Sequence, residues 1–328
     1  MNRTQLLTLI ATGLGLFMIF LDALIVNVAL PDIQRSFAVG EDGLQWVVAS
    51  YSLGMAVFIM SAATLADLYG RRRWYLIGVS LFTLGSIACG LAPSIAVLTT
   101  ARGAQGLGAA AVSVTSLALV SAAFPEAKEK ARAIGIWTAI ASIGTTTGPT
   151  LGGLLVDQWG WRSIFYVNLP MGALVLFLTL CYVEESCNER ARRFDLSGQL
   201  LFIVAVGALV YAVIEGPQIG WGGGPATVML LERAPGRAPS YALAIATICT
   251  VFFAVYGMLL LTTQFLQNVR GYTPSVTGLM ILPFSAAVAI VSPLVGHLVG
   301  RIGARVPILA GLCMLMLGLL MLIFSEHR

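Results

Sequence analysis

Long uncharged runs constrain this chain more than any other feature. Windows of 17–25 apolar residues fall near 7–30, 45–66, 74–92, 95–122, 133–156, 164–183, 196–214, 241–266, 275–298 and 306–324. A helix needs about 20 such residues to cross a bilayer. The runs lack the period-2 alternation of barrel strands, so they predict membrane-spanning helices whose backbone groups pair internally. Composition agrees, with 58% of the residues hydrophobic and only 10% charged. Soluble domains carry roughly 25% charged residues, so this chain cannot cover a water-facing surface. The first run continues through Asp22 to Leu30 without a small-residue cleavage site. It reads as a span and not as a secretory signal.

Short loops set the orientation. Arg71, Arg72 and Arg73 lie between the second and third runs, Lys128, Lys130 and Arg132 between the fourth and fifth, and Arg190, Arg192 and Arg193 between the sixth and seventh. The alternate loops hold only Arg35 and Arg162. Positive loops stay cytoplasmic, which predicts a multi-pass protein of the cytoplasmic membrane with its N-terminus inside.

Several chemistries find no support. Cys89, Cys181, Cys187, Cys249 and Cys313 form no CxxC, and His297 and His327 stand far apart, so no metal site is expected. No GxxxxGK[ST] occurs, so neither nucleotide-driven transport nor an enzyme is indicated. The net charge of +4 is spread over loops and does not form a nucleic-acid patch.

Within the fifth run, residues 144–153 read GTTTGPTLGG, four glycines and a proline where a helix is needed. Gly144, Gly148 and Gly152 recur every four residues and share a face, which lets another helix backbone approach closely. Pro149 removes an amide and frees the Thr145 carbonyl, and the hydroxyls of Thr145, Thr146 and Thr147 are expected to satisfy such a group. A generic packing stripe is the alternative reading. Arg102 lies inside an apolar run, where a charge costs about 2.5–3.5 kcal/mol or more. Gln105 and Gly106 follow it by three and four residues, on the same face. Asp22 is the strongest intramembrane carboxylate, of the kind that burial and neighbouring charges can tune for proton exchange. The bland alternatives are an arginine that snorkels to the interface and a structural aspartate near one membrane face.

These segments together resemble the major facilitator superfamily. Gly144-x-x-x-Gly148-Pro149-x-x-Gly152-Gly153 is similar to its helix-five antiporter motif. Leu65-Ala66-Asp67-Leu68-Tyr69-Gly70-Arg71-Arg72-Arg73 resembles its loop between helices two and three, with Ala63 in place of the leading glycine. Arg102-Gly103-Ala104-Gln105-Gly106-Leu107-Gly108 resembles its helix-four motif. The stretches 21–31 and 161–170 resemble the fourteen-helix drug:proton antiporter branch. The resemblance implies an all-α helical bundle exporting amphipathic small molecules in exchange for protons, powered by the proton gradient without a cofactor. Its partners would be membrane lipid, protons and the substrate. It implies proton coupling through Asp22 and Arg102, and a cytoplasmic latch of Asp67, Gly70, Arg71 and Arg72. Gly70 would allow a tight turn, letting an arginine pair with Asp67 or cap a helix C-terminus. Export of an endogenous metabolite or lipid precursor fits the same motifs.

The second half departs from that pattern. Gly296-x-Leu298-x-Gly300-Arg301-x-Gly303-Ala304-Arg305 echoes the first loop and marks a related half. Arg301, Gly303 and Arg305 are expected at the cytoplasmic face. Counting spans forward puts Glu215 outside, whereas counting back from that loop puts Ser240 inside. The segment between holds Glu232, Arg233, Arg237 and four prolines, around a short apolar core, Ala226–Leu231. Expected are a six-helix bundle over 1–185, a basic loop with one extra helix and a deletion junction over 186–240, and a partial bundle of about three helices over 241–328. That is about ten spans with an incomplete second half, and a truncated, non-transporting product is the competing function.

Overall fold

The structure, a computed structural model, describes residues 1–187 and 261–284 without a break and isolated positions between and beyond them. The expected junction at 222–240, Glu215, and the loop residues Arg301, Gly303 and Arg305 lie outside the described residues. The described part is almost wholly helical. Seven helices run in order: α1 (Arg3–Phe37), α2 (Glu41–Tyr69), α3 (Arg71–Gly90), α4 (Ile95–Ala123), α5 (Ala127–Trp159), α6 (Ser163–Tyr166) and α7 (Asn168–Tyr182). A short π-helical turn, Phe265–Val269, precedes an eighth helix, α8 (Pro274–Phe284). By contact the chain divides into residues 1–282 and residues 283–328. Among the described positions of the smaller unit, helical residues recur between 284 and 318.

Local chemistry explains the boundaries. Asn2 caps α1, accepting from the Gln5 amide at 2.8 Å while the Gln5 side chain accepts from the Asn2 amide at 2.9 Å. This reciprocal pair satisfies two orphan donors at once. Ser94 accepts from the Val97 amide at the start of α4. Gly70, with φ of 108°, makes the one-residue turn between α2 and α3, a conformation costly to any residue bearing a Cβ.

Four described stretches, α1, α2, α4 and the α6–α7 segment Ser163–Tyr182, are long and apolar enough to cross a membrane on their own composition. Of the ten expected runs, α3 and α5 match the third and fifth in position but are less apolar. α3 opens on three arginines, and α5 carries the glycine and threonine stretch.

The bundle is organised around α1. The broadest interfaces are α2 with α4, α1 with α5 and α3 with α4, and α1 also meets α7. Its buried residues, from Leu9 through Ile25 to Ile33, run down nearly its whole length. Small residues set the spacing. A Cβ on Gly108 would lie 2.6 Å from the Phe82 amide of α3, and one on Gly78 would lie 2.8 Å from the Ala111 Cβ of α4. Without water to drive association, close backbone approach supplies the packing attraction.

Candidate functional site: a buried ion pair at the centre of the bundle

Asp22 of α1 and Arg102 of α4 meet in the interior. Both are almost completely buried, at 0% and 1% exposure, so Arg102 does not snorkel. Its NH1 donates to Asp22 Oδ2 at 2.5 Å and to Gln105 Oε1 at 2.7 Å, and its Nε donates to the Val47 carbonyl at 3.5 Å. The guanidinium lies 4.2 Å from the Tyr51 ring centroid and 5.9 Å from that of Phe165. It is thus clamped between a carboxylate and two aromatic faces, which favour a cation.

The other carboxylate oxygen is held as tightly. Asp22 Oδ1 accepts from Gln105 Nε2 at 2.9 Å and from Asn168 Nδ2 at 2.7 Å. Ser86 of α3 ties the two amides together, accepting from Gln105 at 2.7 Å and from Asn168 at 3.2 Å. Cys89, one turn on in α3, donates to Gln105 Oε1 at 3.8 Å. Four helices therefore converge on one carboxylate. A buried ion pair survives only when its remaining hydrogen-bonding capacity is met in this way.

Local sequence aims each group. Arg102 and Gln105 are three apart on α4 and face α1 together. Gly106, expected on that polar face, turns out to serve packing: a Cβ there would meet the Met55 amide of α2 at 3.0 Å. Asn168 reaches the centre because the helix breaks after α6 and restarts there, with Val167 between. Pro170 sits in the first turn of α7, where its missing amide leaves no bond unmade.

A second cluster lies where α2, α3 and α7 end or begin. Arg71 donates to Asp67 Oδ1 through Nε at 2.9 Å and NH2 at 2.8 Å. Arg72 donates to the Leu180 carbonyl at 2.8 Å and the Thr179 carbonyl at 3.3 Å, at the C-terminal end of α7. That end has orphan carbonyls and favours a cation. The chain beyond α7 returns the contact. Glu185 accepts from the Arg72 amide at 2.9 Å and the Arg73 amide at 3.1 Å, and the Ser186 carbonyl accepts from the Arg71 amide at 2.9 Å. A Cβ on Gly70 would lie 2.7 Å from the Glu185 carboxyl carbon, so the glycine makes both the turn and the room. The described contacts of this cluster fall between residues 67 and 186.

The α5 stretch has two working faces. Cβ atoms on Gly144, Gly148 and Gly152 would lie 2.6 Å from the Phe17 carbonyl, 3.3 Å from the Leu21 carbonyl and 2.6 Å from Ile25 Cγ1, all on α1. On the other face Gly153 packs on Pro274 and Ser275 of α8, and the Pro149 carbonyl packs on Gly278. Thr150 donates to the Gly278 carbonyl at 3.4 Å, and Asp157 accepts from the Ser275 amide at 3.1 Å and from its hydroxyl. The threonines differ from expectation. Thr145 and Thr146 donate to the Ser142 carbonyl and Thr147 to the Ile143 carbonyl. They cover the turn before the proline, because a threonine hydroxyl reaches back three or four residues within its own helix.

A family model, the Major Facilitator Superfamily, matches residues 12–327. The chain belongs to that superfamily. It is 90% identical, over an alignment of 349 residues, to the multidrug resistance protein Stp of Mycobacterium tuberculosis (strain CDC 1551 / Oshkosh), covering 100% of this chain and 65% of that one. It is 45% identical to the drug efflux pump JefA of the same strain, covering 97% of this chain and 67% of that one. The chain thus spans about two thirds of the length of these relatives. Among solved structures, a bacterial homolog of the human lysosomal transporter Spinster, in an inward-facing and occupied conformation, superposes with a TM-score of 0.69 at 20% identity, covering 93% of this chain and 63% of that one. That likeness shows the all-helical fold, and membership of the superfamily makes the chain a multi-pass membrane protein.

Sequence reasoning did not single out Ser86, Cys89, Glu185, Ser186 or Asp157 as site residues, and it read Asn168 only as part of a motif. For Asn168 a signal existed, because an amide inside an apolar span is expensive and points inward. For Glu185 none existed: a glutamate beyond a span looks like any solvated charge.

Proposed function

We propose that this chain is a proton-coupled antiporter that exports amphipathic small molecules across the cytoplasmic membrane, its N-terminus inside. The observation that carries the reading is the buried Asp22–Arg102 pair, a carboxylate clamped to a permanent cation at the bundle centre. Protonating Asp22 removes the charge that holds Arg102. The charge-assisted bond that joins α1 to α4 then weakens. A proton can bias an alternating-access equilibrium only through such a difference between states. The energy source is the proton gradient, with no cofactor. Relatives named for multidrug resistance and drug efflux support the substrate class, and an endogenous metabolite or lipid precursor is the variant of the same reading. The Asp67–Arg71 and Glu185 cluster acts as the cytoplasmic latch.

A second reading is a shortened relative that inserts but does not transport. The alignment with Stp runs over 349 residues against 328 in this chain, 21 more, which is about one membrane span. That difference supports the loss of about one span's length of chain.

Drug-stimulated proton movement in inverted vesicles, with a fluorescent cationic dye as the drug, separates the two. The antiporter reading expects flux that Asp22→Asn and Arg102→Ala each abolish at equal membrane insertion. A correctly inserted parent chain with no flux overturns it and leaves the second reading.

A further inference from the structure

Of the three uncharged side chains that bond one another around the Asp22 carboxylate, Gln105, Ser86 and Asn168, two have used their hydrogen-bonding capacity and one has not. An amide has two acceptor lone pairs and two N–H donors. Gln105 accepts from Arg102 and Cys89 and donates to Asp22 and Ser86, so it has nothing spare. The Ser86 hydroxyl donates to the Phe82 carbonyl at 3.0 Å and accepts from both amides. Asn168 differs. Its Nδ2 donates twice, to Asp22 and Ser86, while its Oδ1, fully buried, has no partner among the described residues. Buried polar atoms in native proteins are rarely left so, and each exception calls for a reason.

The reason lies in what the neighbouring carboxyl group requires. A carboxylate only accepts hydrogen bonds, whereas a carboxylic acid must also donate one. Around Asp22, Oδ1 faces two N–H donors and Oδ2 faces Arg102, so an added proton meets no lone pair. A half-turn of the Asn168 amide exchanges its Oδ1 and Nδ2 and presents the unused lone pairs to Asp22 Oδ1. Gln105 cannot make the same turn without giving up all four of its contacts. The other titratable or charged groups in and against this cluster are Arg102 from α4, Cys89 from α3 and Tyr51 from α2, stacked on the guanidinium. Arginine offers no acceptor, and the oxygen of Gln105 is already taken.

We propose that Asn168 is the positioning residue that lets this pocket hold Asp22 in both protonation states, its amide donating to the carboxylate and, turned over, accepting from the acid. The proton comes from water and binds Asp22 Oδ1, and no other covalent bond is made or broken. The Ser86 hydroxyl, which has one proton, turns from the Phe82 carbonyl to the Asn168 carbonyl as its amide donor leaves. The inference rests on the proton-exchange reading of Asp22 given above.

Infrared difference spectroscopy of the full chain in lipid bilayers, between neutral and acid pH with 13C-labelled asparagine side chains, tests it. Expected is a protonated-carboxyl band that Asp22→Asn removes, since the amide added there does not titrate. Alongside it an asparagine carbonyl band shifts to lower frequency, as a newly accepted hydrogen bond requires, and Asn168→Leu removes that shift. If Asn168→Leu fails to insert, loss of the asparagine shift in Asp22→Asn serves as the second check. A carboxyl band with the asparagine band unmoved overturns the role of Asn168 and leaves proton exchange standing. No carboxyl band in an inserted, folded chain overturns proton exchange at Asp22, and this inference with it.

Discussion

Replacing Arg102 with methionine leaves the Asp22 carboxylate buried against two amides with no cation. The pair is almost wholly shielded, with side-chain exposures of 2% and 0%. Removing one partner from such a pair costs about 3–5 kcal/mol, because the survivor keeps its desolvation penalty and loses its compensation. Arg102→Met also loses bonds to Gln105 and Val47, while methionine keeps apolar contact with Tyr51 and Phe165. Asp22→Asn removes the charge and keeps the shape, stranding Arg102 instead. The double variant strands no charge. Its cost should therefore fall short of the summed single costs by roughly 2–3 kcal/mol, within the range seen for residues in direct contact. The lower end is expected, because spans unfolded within a membrane still find polar partners. Unfolding titrations in mixed micelles, followed by tryptophan fluorescence, measure all four forms. Single costs that add to within about 0.5 kcal/mol would mean that Asp22 and Arg102 are not energetically coupled, and the site as described would be wrong.

Other consequences are equally concrete. Alanine at Gly144 should destabilise by about 1–3 kcal/mol, because its Cβ would lie 2.6 Å from a backbone oxygen that cannot swing away. Alanine at Gly148, at 3.3 Å, should cost less, and alanine at Gly135, which meets nothing within 4 Å, should stabilise α5 by up to about 1 kcal/mol. The same micelle titration ranks the three, and equal effects would refute the packing account. Glu185→Gln should cost about 1 kcal/mol as a lost charged cap and speed hydrogen exchange at the Arg72 and Arg73 amides; unchanged exchange would show that the tail does not hold α3. Short treatment with a membrane-permeant maleimide should label Cys187, exposed beyond the sixth span, and spare the buried Cys89. Mass spectrometry reads the pattern, and early modification of Cys89 would show that the central network opens readily.

Much of the first half was legible without coordinates. The positions of the first six spans and the turn at Gly70 follow from one-dimensional rules: hydrophobic length, charge in loops and glycine conformation. The close-packing face of Gly144, Gly148 and Gly152 was equally readable, because helix periodicity fixes which residues share a face. What that face meets was not, since α1 is more than a hundred residues away in the chain. The threonines show the limit on a smaller scale. Their hydroxyls were expected to serve the carbonyl freed by Pro149, yet they bond one turn earlier, because side-chain geometry and not need decides reach.

By itself the sequence determined the solvent, the helical class and the presence of an intramembrane carboxylate and arginine, because the cost of burying charge and backbone in lipid leaves so few solutions. Only the tertiary structure decided that Asp22 and Arg102 are partners. It decided too that Gln105 faces them while Gly106 packs on α2, that Glu185 caps α3 from across the bundle, and that Asn168 completes the pocket with one oxygen unused. Each of these is a distance between residues far apart in sequence, set by how α1, α3, α4 and α7 converge, and no local pattern encodes it.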